Sequence, residues 1–342
     1  MSLSTDLALT GLQQAAAQAD NAKLDGRLAG VGRLLGEDLA WLERNIQELA
    51  RSGVAPASDA ARHLVALGGK RVRPMTLLLS AACFDGVSPA ARELSMVVEL
   101  VHSATLLHDD VIDDGRERRG ARTARMIWGN AVSVLGGDFL LVQALLRTQQ
   151  HAPELLPELL ITLQRLVDGE IVQLRGRAHL DSSEATYMQI LHDKTASLFR
   201  FATLAGSRLG GASEAQSAPL LEFGEALGVA FQLVDDALDY VGEGTGKTLF
   251  ADLREGKVTL PLVLAVHDNP TLLPMLQKIH QGDESLVSEL RQRVAASGAC
   301  SEVRRRAREQ TTTALKALQP LRQSPARALL EGVALELANR SK

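Results

Sequence analysis

Apolar residues recur along most of this chain at three- and four-residue spacing, the period of one helix face. The two-residue alternation of a half-buried strand is scarce. A clear amphipathic run covers 36–51, and another covers 57–67 before the Gly68-Gly69 pair. Pro74 suits the first turn of a helix ending near Gly86. Ser88-Pro89 has the form of an N-cap followed by proline at the first helical position, opening a long helix to about Asp114. A basic loop at 115–120 follows. Further helices are expected over 130–150, 154–175, 183–209, 214–241 and 250–267, with a polar helical set to the C-terminus. Residues 1–35, rich in Ala, Gln and Gly and weakly patterned, read as a loosely attached, partly helical extension, and 36–342 as one folded domain. The expected architecture is all-α: a single-domain helical bundle around a central deep cavity.

Composition narrows the picture. With 342 residues and 46% hydrophobic content the chain can bury a sizeable core. A net charge of −4 and 3% aromatics argue against nucleic acid as a partner. Cys83 and Cys300 form no metal spacing and no disulfide framework, so a reducing cytoplasm is the expected compartment. The N-terminus lacks the pattern of a signal peptide. No membrane span is expected, since the best stretch, 131–146, carries Asp138 and a glycine pair.

The most informative feature is a pair of D-D-x-x-D runs, Asp109 to Asp113 and Asp235 to Asp239, each near the end of a long apolar helix. Residues four apart share a helix face, so Asp109 and Asp113 point one way, as do Asp235 and Asp239. Carboxylates clustered on an apolar stretch call for a positive counterpart. Mg²⁺ fits, since it is commonly held by one or two carboxylates plus substrate phosphates. Asp110 and Asp236 sit about 100° round the helix and read as supporting members of the metal set. Asp114 reads as either ligand or support. A single such run is often no more than a solvated helix end; two on apolar helices point to a metal clamp for a diphosphate.

Cations suited to phosphate lie nearby in sequence. Gly68-Gly69 precedes Lys70, Arg71 and Arg73, and Arg118-Arg119 follows the first acidic run by one short loop. Glycines allow close backbone approach to an anion, and arginine forks match phosphate oxygens. Lys194-Thr195 lies in a helix among small and apolar residues, Gln232 sits one turn before Asp235, and Lys247 and Lys257 lie beyond the second run. Each could equally be an ordinary solvated residue. His102, with Glu99, forms E-x-x-H, but no second copy exists to build a di-iron site. His102 reads as a phosphate donor or a satisfied core histidine, and His108 as structural.

The ordered series GGKRVRP, ELVHSATLLHDDVID, RRG, GDFLL, GEIVQL, KTASLF, FQLVDDALDY and DLREGKVTLP resembles the trans-type polyprenyl diphosphate synthases, over roughly residues 40–265. The resemblance implies an all-α homodimer that joins an allylic diphosphate to isopentenyl diphosphate using Mg²⁺, about three ions with substrate bound, or Mn²⁺. It implies that Asp109, Asp113, Asp235 and Asp239 hold the metal on the allylic diphosphate. Arg118, Lys194, Thr195, Gln232, Lys247 and Lys257 would contact that diphosphate or its metal shell. Lys70, Arg73, His102 and Arg119, with Arg71, would hold isopentenyl diphosphate. The C–O bond would break to an allylic cation, the isopentenyl double bond would attack it, and a proton would pass to the departing diphosphate. One departure stands out: Ala121-Arg122-Thr123 follows the RRG, where the family usually has Arg-Pro-Thr, which implies a less rigid loop and altered lid closure.

Short-chain members of that family carry an aromatic plug about one turn, or 5.4 Å, below the first acidic run. Here Ala104 and Thr105 are small and Val101 lies a turn further, so an open tunnel is expected, with Phe139 or a residue of a later helix as its floor. The expected product is about C30 or longer, with a transient membrane contact for release of so apolar a chain. Small residues that simply let helices pack closely are the alternative, with a C15–C25 product. A terpene cyclase would not need the second cationic site and would want more aromatics. A non-catalytic partner subunit would tolerate decay of an acidic run, and both runs are intact.

Overall fold

The computed structural model describes residues 22–241 and 256–339. These fold into helices α1 (Ala22–Leu49), α2 (Ala57–Ala66), α3 (Val72–Ala82), α4 (Pro89–Ile112), α5 (Ala124–Trp128), α6 (Asn130–His151), α7 (Leu156–His179) and α8 (Glu184–Leu191). A π-helical turn, His192–Ala196, joins α8 to α9 (Ser197–Leu209). Then follow α10 (Glu214–Val241), α11 (Leu260–Asp268), α12 (Leu273–His280), α13 (Val287–Ala296), α14 (Ala299–Ala317) and α15 (Pro325–Asn339). The only strands among the described residues are β1 (Glu117–Arg118) and β2 (Ala121–Arg122).

By internal packing the chain resolves into two compact units. One comprises the chain up to Leu159 with Phe201–Leu221 and Leu318–Gly332; the other comprises Leu160–Arg200, Glu222–Ala317 and the chain from Val333. Neither is continuous in sequence, so no single cut separates two domains.

In the first unit α4 is the axis. Ser88 caps it by accepting the Ala91 N–H at 3.2 Å, with Pro89 beginning the helix. Leu94, Met96, Val97, Val98, Leu100 and Val101 are all fully buried, so the helix is enclosed all round. Helices α1, α2, α3 and α6 pack against it. Within the stretch read as a partly helical extension, helix is already present from Ala22. Helix α1 runs straight through Gly36 and buries Val31, Leu35, Leu39, Leu42 and Ile46 at helical spacing, so its inward face was already present upstream. Residues 1–21 lie outside the described residues.

Helix α6 is long and apolar enough, by length and composition, to cross a membrane, which the sequence reading had not allowed. One face is nonetheless packed into the unit: Ser133, Gly136, Gly137, Leu140, Ala144 and Thr148 are buried. The opposite face leaves Leu135, Val142 and Leu146 exposed.

The second unit is built on the later part of α10. Leu233, Val234, Ala237 and Leu238 pack with Tyr187 and Leu191 of α8, Leu260 and Val263 of α11, and Val303 and Ala307 of α14. Tyr240, Leu262, Val266, Leu276 and Leu290 form a neighbouring cluster. The helix expected over 250–267 begins, within the described residues, at Leu260.

Candidate functional site

Each acidic run closes a long helix, where the backbone dipole is already negative. At the end of α4 the chain stops in a Schellman arrangement. Asp114 takes a left-handed conformation (φ 53), the Gly115 N–H donates to the Asp110 carbonyl at 2.9 Å, and the Asp114 N–H donates to that of Val111. The Asp113 N–H still donates to the Asp109 carbonyl at 2.8 Å, so the four-residue spacing keeps those two residues on one face. Four aspartates at a negative helix end are unfavourable without a cation, which is the condition a metal site requires.

The middle aspartates are used differently from the outer ones. Asp110 is 2% exposed, and both Nε and Nη2 of Arg118 bind its Oδ1, at 2.9 and 2.8 Å. Burial raises its carboxyl above the usual range, opposed by Arg118 and reinforced by Asp113. In the second unit Asp236 is 3% exposed. It accepts the Tyr187 hydroxyl at 2.6 Å and the Gln232 Nε2 at 2.7 Å, and the Thr195 hydroxyl donates to Gln232 Oε1 at 2.9 Å. Asp110 and Asp236 are thus engaged by protein donors. They lock the last helical turns that carry Asp109, Asp113, Asp235 and Asp239, all of which remain partly exposed. Asp114 is tied to Arg125 at 2.8 Å.

Among the described residues no three His, Cys, Asp or Glu side chains converge into a complete metal cage. Pairs of carboxylates with room for phosphate oxygens are the donor set a hydrated divalent cation takes, so the outer aspartates fit such an ion.

A second, basic cluster forms in the first unit. His102 is surrounded by Arg71, Arg73, Arg118 and Arg119; burial first, and then those charges, hold its imidazole well below the usual histidine range. A side chain on Gly69 would come within 3.2–3.3 Å of Arg71 and Arg119, so the glycine turn lies against both guanidinium groups. Lys70 and Arg73 flank it, each partly exposed. Arg119 and Gly120 both have positive φ (55 and 76) and form the two-residue turn of the β1–β2 hairpin, with Arg118 opposite Ala121. The expected loose basic loop is thus a hairpin. The Arg122 carbonyl lies 2.7 Å from His63 Nε2, and the Thr123 hydroxyl donates to the Gly115 carbonyl at 2.8 Å, giving the segment ties that the missing proline would have provided otherwise.

Arg71 is the residue whose expected use the structure reverses. Its side chain is 2% exposed, its Nε donates to Glu43 at 2.6 Å, its Nη2 reaches the same carboxylate, and its Nη1 pairs with Glu99. Although burial works to lower its basicity, Glu99 and Glu43 more than compensate and fix it as a cation. With its fork occupied it holds α1 and α4 together rather than a phosphate. Glu43 and Tyr187 are supports that sequence reasoning missed, and Glu99, noted there only beside His102, is a third. The signal for Glu99 was a carboxylate within the apolar run VVELVH, and for Tyr187 one of only two tyrosines in the chain; Glu43 carried no local signal.

Other predicted residues fall as follows. Lys194 lies in the π-helical turn, and Lys257 lies partly exposed just before α11. Lys247 lies outside the described residues. Val101 and Ala104 are buried on α4, and the Thr105 hydroxyl donates to the His102 carbonyl. The ring edge of Phe139 lies against Gly53, where a Cβ on the glycine would meet it at 2.8 Å. His108 is structural, with Nε2 3.1 Å from the Val134 carbonyl and its ring filling the space beside Gly137. A cavity of about 680 Å³ in the second unit, lined by Ser183, Glu184, Val263, His267 and Arg306 among others, contains none of the predicted site residues.

A family model described as Polyprenyl synthetase matches residues 55–296. The chain is 36% identical to octaprenyl diphosphate synthase from Escherichia coli (strain K12) over 313 residues, 90% of this chain and 97% of that protein. It is 37% identical to all-trans-nonaprenyl-diphosphate synthase (geranyl-diphosphate specific) from Rhodobacter capsulatus over 300 residues, 86% of this chain and 92% of that protein. The crystal structure of a polyprenyl synthase from Caulobacter crescentus CB15, complexed with calcium and isoprenyl diphosphate, superposes with a TM-score of 0.86 at 36% identity. That match covers 92% of this chain and 98% of that chain.

Proposed function

We propose, from the premise that this chain belongs to the polyprenyl synthetase family, a division of labour in which both aspartate motifs serve one allylic diphosphate and the basic cluster serves isopentenyl diphosphate. The chain is a prenyltransferase that makes long all-trans polyprenyl diphosphates by successive condensation. The observation that carries the division is the contrast within each motif: the middle carboxylate is buried on protein donors, and the outer pair is held on one face at a helix end.

Asp109, Asp113, Asp235 and Asp239 would hold Mg²⁺, about three ions in the substrate complex, with Mn²⁺ as a substitute. The bound metal supplies charge neutralisation of the departing diphosphate. Arg118 stays aligned through Asp110 and offers its remaining N–H groups to the same phosphates. Lys194, Thr195, Gln232, Lys257 and, outside the described residues, Lys247 complete that side. Lys70, Arg73, His102 and Arg119 hold isopentenyl diphosphate, with Arg71 removed from the set. Preorganised donors of this kind stabilise charge as the C–O bond breaks, and fixing the second substrate supplies orientation. The proton released at the end passes to the diphosphate.

The remaining parts of the proposal concern assembly and product. Helix α6 exposes Leu135, Val142 and Leu146, and α7 exposes Leu160, Val167, Ile171 and Leu174, at spacings of seven, four or three residues that keep each set on one helix face. Such seams suit a helix of a second copy of the chain, supporting a homodimer. Cytoplasmic location is supported by two free cysteines, and brief contact with a bilayer by the apolar product. The test is incubation of purified protein with Mg²⁺, labelled isopentenyl diphosphate and an allylic primer, followed by chromatography of the product alcohols. Long linear alcohols are expected; cyclic hydrocarbon or no elongation would refute the assignment.

A further inference from the structure

We infer that Glu170 and Gln173 are positioning residues for Lys194, forming with Gly169 a seat on α7 that aims the lysine at its phosphate. The inference rests on the reading that Lys194 contacts the allylic diphosphate. It gives a use to the GEIVQL segment, which the division of labour above leaves without one.

Helices α8 and α9 form one stretch interrupted by the π-helical turn His192–Ala196. Such a turn adds a residue to the helix and is found mostly as an isolated bulge, often at functional sites. Here it carries Lys194 toward α7. At the point of contact α7 has no side chain: a Cβ on Gly169 would lie 2.9 Å from Asp193 Cβ and from Lys194 Cγ, and 3.1 Å from the Lys194 backbone nitrogen. The lysine stem therefore rests directly on the α7 backbone.

Beyond the glycine, two side chains of α7 receive the ammonium group. Lys194 Nζ pairs with the Glu170 carboxylate and donates to Gln173 Oε1 at 3.2 Å. The Lys194 and Glu170 side chains are 19% and 13% exposed, so the pair is largely shielded from water. The preceding residue is pinned to the same helix. Arg165 donates to Asp193 Oδ1 at 2.9 Å and to the His192 carbonyl at 3.2 Å.

An ammonium group has three donors. Gln173 takes one, and the Glu170 carboxylate holds the ammonium group beside it by charge, so the direction of the remaining donors is restricted. A lysine without such a seat has a flexible four-carbon stem and loses rotamer entropy when it is ordered on a ligand. The seat orders it beforehand.

Steady-state kinetics of Glu170→Ala, Glu170→Gln, Lys194→Ala and the Glu170→Ala/Lys194→Ala double variant test this, alongside thermal melts to confirm folding. Glu170→Ala should raise KM for the allylic diphosphate about tenfold to a hundredfold, the scale of a misplaced binding group, with KM for isopentenyl diphosphate unchanged. Glu170→Gln, which keeps an acceptor oxygen in place, should recover most of that loss. The double variant should be no worse than Lys194→Ala. An additive loss in the double variant, or an equal rise in KM for both substrates, overturns the inference. A readout without turnover separates its failure from that of the underlying reading. In substrate-free protein, modification of Lys194 by an amine-reactive reagent, followed by mass spectrometry, should be faster in Glu170→Ala; an unchanged rate refutes the seat. Faster labelling together with an unaltered allylic KM in Lys194→Ala would uphold the seat and remove Lys194 from the diphosphate site.

Discussion

At Arg71 the chain offers a third cation beside Lys70 and Arg73, and the fold takes it for another purpose. Glycine spacing and charge made all three equivalent in sequence. Only the arrival of Glu43 and Glu99 from distant helices distinguishes Arg71, and such long-range pairing leaves no local trace. Removing one partner of a buried ion pair strands the other charges, so Arg71→Ala should lower unfolding free energy by about 3–5 kcal/mol in denaturant titration. A variant as stable as the parent would contradict the structural role. His102 gives a second prediction at this scale. Its folded-state pKa lies well below the usual 6.5, through burial and the surrounding arginines. Above about pH 6.5 it is neutral in both folded and unfolded chains. Below that value the unfolded chain takes up a proton that the folded one refuses, so stability falls as pH drops toward the folded pKa. His102→Gln should flatten this part of the stability profile; an unchanged slope would mean that His102 is not the group refusing the proton.

At the scale of elements the long helices were legible, because their apolar stripes and their Ser-Pro and Gly-Gly punctuation are local signals. The α4 start at Ser88-Pro89 and the helical stretch from 184 to 209 follow that expectation. The π-helical turn within the latter was not legible, since nothing in HDKTASLF marks it; it lies where the chain packs against α7 at Gly169. The β1–β2 hairpin was missed for a related reason: Arg119 takes a conformation usually given to Gly or Asn, so no turn signature marks it. The start of α1 was misplaced because its inward residues are diluted by glycine and alanine. For the element carrying the first acidic run, Ala104→Phe should put an aromatic ring about one turn from Asp109 and shorten the product, as read by chromatography of the alcohols. An undiminished chain length would detach α4 from length control.

For the whole molecule the outstanding feature is apolar surface in ordered rows on α6 and α7. If a second copy covers those rows, the parent should sediment as a dimer, and Val142→Arg or Val167→Arg should shift it toward monomer while leaving the helix content intact. Monomeric parent protein at micromolar concentration would refute that assembly. The central claim concerns the two aspartate motifs, each legible in sequence, whose service to one diphosphate is the proposal on which the mechanism stands. Calorimetric titration with an unreactive allylic thiodiphosphate, with and without Mg²⁺, addresses it directly. Asp109→Ala and Asp235→Ala should each weaken Mg²⁺-dependent binding at least about tenfold, the scale of losing a charge-assisted metal contact, and neither should alter the weak binding left in chelator. Mg²⁺-dependent affinity untouched by either substitution would show that the two motifs do not act on the same ligand.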